Sequence, residues 1–245
     1  MKQNIYDNDI FFQGYQQLRA TESGLNAALE EPALYALLPA LSGLDILDLG
    51  CGTGKFCRLA AATAATVTGA DISQKMLQEA IRQTKAANVT YICAPTEELT
   101  FAQQRFNLVV SSLALHYIAN YQQVVTNVFQ WLQPGGQFIF SVEHPMCTAM
   151  HHAQWQTDEA GNILHWPVDN YQEETIRHTT WFVENVIKYH RTTATYVNTL
   201  IQAGFRIAGL HEPLPVKEYL EQRPSLVREC RRPPFLLLAA TKPSI

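Results

Sequence analysis

The sequence predicts an α/β fold in which a mostly parallel sheet is covered by helices on both faces. Two patterns carry this. Short apolar runs alternate with segments of helical periodicity between about residues 45 and 142, which is the signature of successive βα units. Two further apolar runs, Phe205–Leu210 and Phe235–Ala240, close the chain and bring the strand count to seven. The composition agrees: of 245 residues, 47% are hydrophobic and only 16% charged, against a usual charged share of about 25%. Such a chain has an ample core and no disordered character.

Charge and cysteine usage narrow the function classes. The formal net charge of -4 gives no bulk electrostatic reason to expect nucleic acid. Arg228, Arg231 and Arg232 form a small basic cluster that reads as a solvated turn. The five cysteines, Cys51, Cys57, Cys93, Cys147 and Cys230, are odd in number and contain no C-x-x-C pair. A disulfide framework or zinc site is therefore not expected, and a reducing cytoplasm fits. Residues Met1 to Ile10 are polar and do not read as a signal peptide. The run Phe235–Ala240 is far too short to span a membrane.

Two helices are expected before the first strand. The first runs from about Asp9 to Ala20, with Phe11, Phe12, Tyr15, Leu18 and Arg19 along one side. The second runs from Pro32 to Leu41, with Leu34, Leu37, Leu38 and Leu41 as its buried stripe. Pro32 suits its first position, and Gly43 suits its end. Residues 1–43 are read as a helical lid.

Ile46–Leu49 then reads as a strand buried on both faces, apart from Asp48. Gly50, Gly52 and Gly54 end it, and a helix follows with Phe56, Leu59, Ala60 and Thr63 on one face. A strand, a glycine turn and a helix start make a ligand cradle. Missing Cβ atoms permit close approach to the backbone, and the helix start offers free N–H groups. A P-loop does not fit, because Leu49 stands where its first glycine belongs and Phe56 follows Lys55. The dinucleotide fingerprint fits poorly, because Gly54 comes one place too early.

The second strand, Thr66–Asp71, ends in an acid about 20 residues past the glycine turn, where a ribose-binding carboxylate belongs. Two acceptor oxygens suit a pair of ribose hydroxyls. Ser73 is the better cap for the next helix, whose face is Met76, Leu77, Ala80 and Ile81. Val89–Ala94 is the third strand and Phe106–Ser112 the fourth. Val124, Val125, Val128, Phe129 and Leu132 mark a helix, stopped by Pro134-Gly135-Gly136 ahead of the fifth strand, Gln137–Val142.

Several of these stretches carry a resemblance. Leu47-Asp48-Leu49-Gly50-Cys51-Gly52-Thr53-Gly54 resembles motif I of the class I S-adenosylmethionine-dependent methyltransferases. Phe106-Asn107-Leu108-Val109 resembles the family's FDLV stretch, with Asn107 for Asp, and Leu132-Gln133-Pro134-Gly135-Gly136 its L-x-P-G-G stretch. The likeness covers about residues 44–142 by motif and 193–242 by pattern. It looks closest to the methyltransferase domain of ubiquinone- and menaquinone-biosynthesis-type enzymes. It implies a Rossmann-like αβα sandwich with an antiparallel last strand, and S-adenosylmethionine as cofactor, with S-adenosylhomocysteine as product. It also implies in-line transfer of a methyl group to a small-molecule acceptor, with no metal.

The resemblance further implies which residues meet the cofactor. They are Gly50, Cys51, Gly52 and Gly54 in the turn, and Asp71, Ile72 and Met76 after the second strand. Thr96 and Glu97 follow the third strand, and Ser111, Ser112 and Leu113 the fourth. Tyr15 and Arg19, one helical turn apart, are expected to close over the methionine end, with Arg19 paired to its carboxylate. There is one departure. Pro95 takes the place of the family's adenine-binding acid, so Thr96 and Glu97, or stacking, must hold the base. An NAD-dependent oxidoreductase and a non-catalytic cofactor-binding module stand as alternatives.

From Glu143 the alternation lapses. Residues 143–190 carry His144, His151, His152, Trp155, His165, Trp166, Tyr171, His178, Trp181 and Phe182. This is too aromatic for disorder and reads as a substrate-covering insert with hairpin character. Its histidines lack metal-binding spacing. His116 and His144 each follow a strand at the ligand-binding edge and are the candidate general bases, with an ordinary pKa of about 6.5. Residues 191–245 return to the α/β domain, with a helix through Tyr196, Val197, Leu200 and Ile201 ended by Gly204. The expected partner is a flat or apolar small molecule, or a cationic amine. Nucleic acid and membrane are not expected, and the chain is read as a monomer or homodimer.

Overall fold

The computed structural model describes residues 3–21, 24–151 and 153–244. The strands β1 (Asp45–Leu49), β2 (Thr66–Asp71), β3 (Val89–Cys93), β4 (Phe106–Ser111) and β5 (Leu132–Glu143) are parallel, in the order β3-β2-β1-β4-β5. Four strands of the insert lie apart from this sheet. β6 (Gln156–Thr157) pairs with β7 (Ile163–His165), and β8 (Ile176–Trp181) with β9 (Val183–Tyr189). β10 (Arg206–His211) and β11 (Phe235–Thr241) complete the main sheet as β10-β11-β5-β4-β1-β2-β3. β11 runs antiparallel to both of its neighbours. The seven strands and the antiparallel last strand are those the sequence led us to expect.

The central strands are apolar on both faces because both faces are covered. Successive residues point to opposite sides. Leu47, Leu49, Val109, Phe138 and Phe140 pack with α5 (Tyr121–Trp131) and α7 (Thr193–Gln202), through Val124, Val128 and Leu200. Ile46, Leu108, Val110 and Ile139 pack on the other side with Leu34, Phe56, Ala60 and Leu77. Those four come from α2 (Glu31–Ala36), α3 (Lys55–Ala60) and α4 (Gln74–Gln83). Leu59, Ile81 and Ile201, expected on buried faces, are exposed at the rims of their helices. A stripe about 100° wide leaves its flanking residue in water.

The N-terminal helix α1 spans Asp9–Ala20, and its start is capped by Asn8 Oδ1, which accepts from the N–H groups of Ile10 and Phe11. The second helix is shorter than expected. It stops at Ala36 rather than Leu41. Pro39 is the reason: it has no N–H and disfavours helical backbone at Leu38. A wide π-type turn, Asn26–Glu30, precedes it. Beyond the insert's short α6 (Pro145–Thr148), the segment between β10 and β11 also holds more structure than expected. It contains α8 (Lys217–Gln222) and a run of tight turns, Pro224–Arg231.

Gly54 caps α3 in the left-handed region, at φ +73°. A Cβ there would also crowd the Tyr91 hydroxyl and, at 3.1 Å, the Ala80 methyl. Gly54→Ala is therefore expected to destabilise the fold by about 1–2 kcal/mol or more, read as a lowered urea midpoint. An unchanged midpoint would mean that the turn relaxes freely.

Candidate active site

The C-terminal ends of β1, β2, β4 and β5 open on one cavity of about 1160 Å³. The glycine turn forms part of its wall. Gly52 has φ +53°, and a Cβ built there meets nothing within 4 Å. Its backbone therefore faces open space that a ligand can occupy. The turn is stitched to β2 by three hydrogen bonds. Gly50 N–H and Cys51 N–H donate to Ala70 O at 2.8 and 3.0 Å, and Gly52 N–H donates to Asp71 Oδ2 at 2.8 Å. Asp71 Oδ1 accepts from Ser73 N–H at 2.8 Å. Burial raises the Asp71 pKa above the usual carboxylate range, opposed by those two backbone donors. Each oxygen has capacity for a second donor, so the carboxylate suits a pair of ligand hydroxyls. Ser73 takes the cap expected of it, its Oγ accepting from Met76 N–H at 3.1 Å.

Of the sequence-predicted cofactor residues, Tyr15, Arg19, Gly50, Gly52, Asp71, Ile72, Met76, Thr96, Glu97, Ser112 and Leu113 line this cavity. Cys51, Gly54 and Ser111 do not. Cys51 is buried beneath the turn, Gly54 is backed by Tyr91, and Ser111 Oγ donates to Leu49 O at 2.8 Å. They support the wall from behind. Asp48 is likewise a supporting residue. It accepts from Cys57 Sγ–H at 3.3 Å, and burial raises its pKa to about 7. Pro95, the departure noted above, lines the cavity beside Thr96.

The roof comes from α1, the turn Ile5–Asp7 before it, and the β8–β9 hairpin. Tyr6 packs edge-on against Tyr15 at 5.3 Å, and Phe11 against Trp181 at 5.2 Å. Ile187 N–H donates to Gln3 Oε1 at 2.7 Å. Arg19 is already engaged: Nε donates to the Tyr15 hydroxyl at 2.9 Å, and Nη1 meets Glu31 Oε1 at 3.1 Å. The sequence missed Glu30, which is fully buried. Its Oε1 accepts from Ser112 Oγ at 2.8 Å and from Ser141 Oγ at 2.5 Å, tying the turn before α2 to the ends of β4 and β5. A Glu beside another Glu carries no sequence signal of such a role.

The structure places the two candidate bases differently. His116 lines the cavity, but burial lowers its pKa to about 4, not the 6.5 assumed. Its Nδ1 accepts from Glu143 N–H at 3.4 Å, which leaves the proton on Nε2. At neutral pH it presents a donor rather than a base. His144 is not part of the cavity wall. Its Nδ1 accepts from Met146 N–H at 3.1 Å as the cap of α6, and Nε2 lies 2.9 Å from Glu212 Oε1. Both of its nitrogens have structural partners. Of the adjacent pair in the insert, His152 lies outside the described residues, and His151 is exposed.

Residues 47–140 match the model of the methyltransferase domain family. A solved S-adenosylmethionine-dependent methyltransferase from Mesorhizobium loti is 43% identical, with a TM-score of 0.83, over 89% of this chain and all of that one. The chain belongs to the class I S-adenosylmethionine-dependent methyltransferases. A protein of uncharacterized function from Haemophilus influenzae is 36% identical over 98% of both chains. The ubiquinone biosynthesis O-methyltransferase of Rhizobium leguminosarum bv. trifolii is 33% identical, over 56% of this chain and 54% of its own length. The dinucleotide reading of the glycine turn falls away. No described helix is long and apolar enough to cross a membrane.

The methyltransferase cofactor fits the cradle: open space stands over Gly52, and Asp71 offers two acceptors at ribose spacing. Gly52→Val is expected to abolish cofactor binding. Asp71→Ala is expected to weaken it by about 1.5–3 kcal/mol, the scale of a lost charged hydrogen bond. Calorimetric titration with S-adenosylmethionine checks both, and undiminished affinity overturns the assignment.

His116 yields a separate expectation. A histidine whose folded pKa lies below its unfolded value favours the fold above about 6.5, and that contribution is lost as pH falls towards 4. Between these limits His116 should cost about 3 kcal/mol of stability. His116→Gln should flatten that part of the urea-unfolding profile. A profile that stays as steep would place the pH dependence elsewhere.

Proposed function

We propose that the enzyme methylates a small organic acceptor held in the inner half of the cavity, under the roof of α1 and the β8–β9 hairpin. One observation carries this reading. The cavity, at about 1160 Å³, exceeds the 300–1,000 Å³ or so of an ordinary small-molecule site. Its lining also continues past the glycine turn to Cys147, Pro234 and Phe235. It therefore has room for a second molecule beside the cofactor.

When bound, S-adenosylmethionine supplies an electrophilic methyl on a sulfonium. The chain's own part is to align a nucleophile and exclude water. Tyr117, Trp181 and Tyr189 line the cavity and suit a flat or apolar acceptor. Lys188 Nζ lies 6.0 Å from the Tyr117 ring and 5.7 Å from the Trp181 ring. Those faces already hold a cation, which argues against a cationic amine. His116, neutral and donating from Nε2, serves to orient an acceptor oxygen. Residues 143–190 act as the substrate-covering insert and 1–43 as the lid, while 44–142 and 191–245 form the α/β core.

Trp181→Ala is expected to leave S-adenosylhomocysteine affinity within about twofold while lowering kcat/KM for the acceptor by about tenfold or more, the worth of a lost apolar pocket contact. Methyl-transfer assays with a panel of acceptors, alongside calorimetry, separate the two effects. If cofactor affinity falls as far as turnover, Trp181 belongs to the cofactor's side of the cavity and this reading fails.

A further inference from the structure

Apart from Arg19 of α1, which is paired with Glu31 at 3.1 Å, the charged side chains that line the cavity are segregated by element. Asp71 ends β2 and Glu97 follows β3, on one half of the sheet. Arg223, Arg228 and Arg232 come from the segment leading into β11, on the other half. Glu143 also lines the cavity, but its charge is balanced by Lys188 at 2.5 Å. The arginines read from the sequence as a solvated turn are therefore in part a cavity wall.

One carboxylate serves two of them. Glu229 is 1% exposed, and its Oε1 lies 2.9 Å from Arg228 Nε while Oε2 lies 3.2 Å from Arg232 Nη2. The cluster keeps surplus positive charge. The Arg232 side chain is 9% exposed, its Nη1 lies 3.2 Å from Cys147 Sγ, and its Nε is buried with no hydrogen-bond partner among the described residues. Burial pushes the Cys147 thiol up to about 12, so that neighbour is neutral. A buried guanidinium with an unmet N–H is costly, unless a ligand completes it.

The guanidinium is also held in place. Its Cζ lies 4.1 Å from the centre of the Trp166 ring and 5.3 Å from that of Trp155. The Trp166 indole N–H donates to Met146 O at 3.1 Å. Arg231 donates to Ile163 O and Leu164 O at 2.9 and 2.7 Å, which ties β7 to the same segment. Neither Trp155 nor Trp166 lines the cavity. They buttress an arginine that does. A stacked, planar fork is preorganised to meet a carboxylate or phosphate.

We infer that this arginine cluster is an anion subsite, and that the methyl acceptor is a small molecule bearing a carboxylate or phosphate that Arg232 and Arg228 hold. This rests on reading the inner half of the cavity as the acceptor site. The anion anchors one end of the acceptor, leaving its nucleophilic atom to face the glycine turn.

The test uses the full chain saturated with S-adenosylhomocysteine and titrated with benzoate, phenyl phosphate and benzamide. At least one anion should bind tenfold or more tighter than the neutral amide, and which one does so separates carboxylate from phosphate recognition. Arg232→Gln should erase that preference while benzamide and S-adenosylhomocysteine affinities stay within about twofold. Should Arg232→Gln fail to fold, Arg228→Gln, at a half-exposed side chain, should still lower anion affinity severalfold. Equal binding of acid and amide would overturn the subsite alone. Unchanged anion affinity in a folded Arg232→Gln protein would do so too. Loss of S-adenosylhomocysteine affinity in Arg228→Gln would assign the arginines to the cofactor instead. If none of the three probes binds, the small-molecule reading falls with the subsite.

Discussion

The site depends on the hydrogen bond from Gly52 N–H to Asp71 Oδ2. It joins the turn after β1 to the last residue of β2. Parallel pairing makes this possible, because Leu49 lies opposite Ala70 and the two strands end level. The bond does two things at once. It aims the open side of Gly52 into the cavity, and it spends one lone pair of a carboxylate that would otherwise be buried without a backbone donor on that oxygen. Burial opposes ionisation of Asp71, and the donors on Gly52 and Ser73 favour it. The turn and the acid are thus joined directly, beside the bonds from Gly50 and Cys51 to Ala70 and from Ser73 to Asp71.

The parts of the molecule that were legible in the sequence are those governed by local rules. Alternating apolar runs gave the seven strands, and the glycine spacing with Asp71 gave the cradle. Ser73 as cap followed from side-chain chemistry, and α1 from the periodicity of its apolar residues. Pro39 was equally legible, and a helix drawn through it to Leu41 ignored its missing N–H.

What was not legible is set by contacts between distant segments. No local pattern announces that Glu30 will lie under Ser112 and Ser141, 82 and 111 residues away. The pKa of His116 follows from burial beneath the roof, and its position after a strand says nothing of that. The tryptophans of the insert divide in the same way. Trp181 meets the cavity, while Trp155 and Trp166 meet Arg232. Composition placed aromatic residues in the insert, but only the fold distinguishes wall from buttress.

The roof is assembled from opposite ends of the sequence. Gln3 clasps Ile187 through its amide, 184 residues away, and Phe11 rests on Trp181 and Phe182. Among the described residues, these pieces meet through edge-on aromatic contacts and the Gln3–Ile187 amide pair. Contacts of such long separation also form late, since loop closure must precede them. Amide hydrogen exchange in α1 and in the β8–β9 hairpin, set against exchange in β1 and β4, would read how readily these two pieces part.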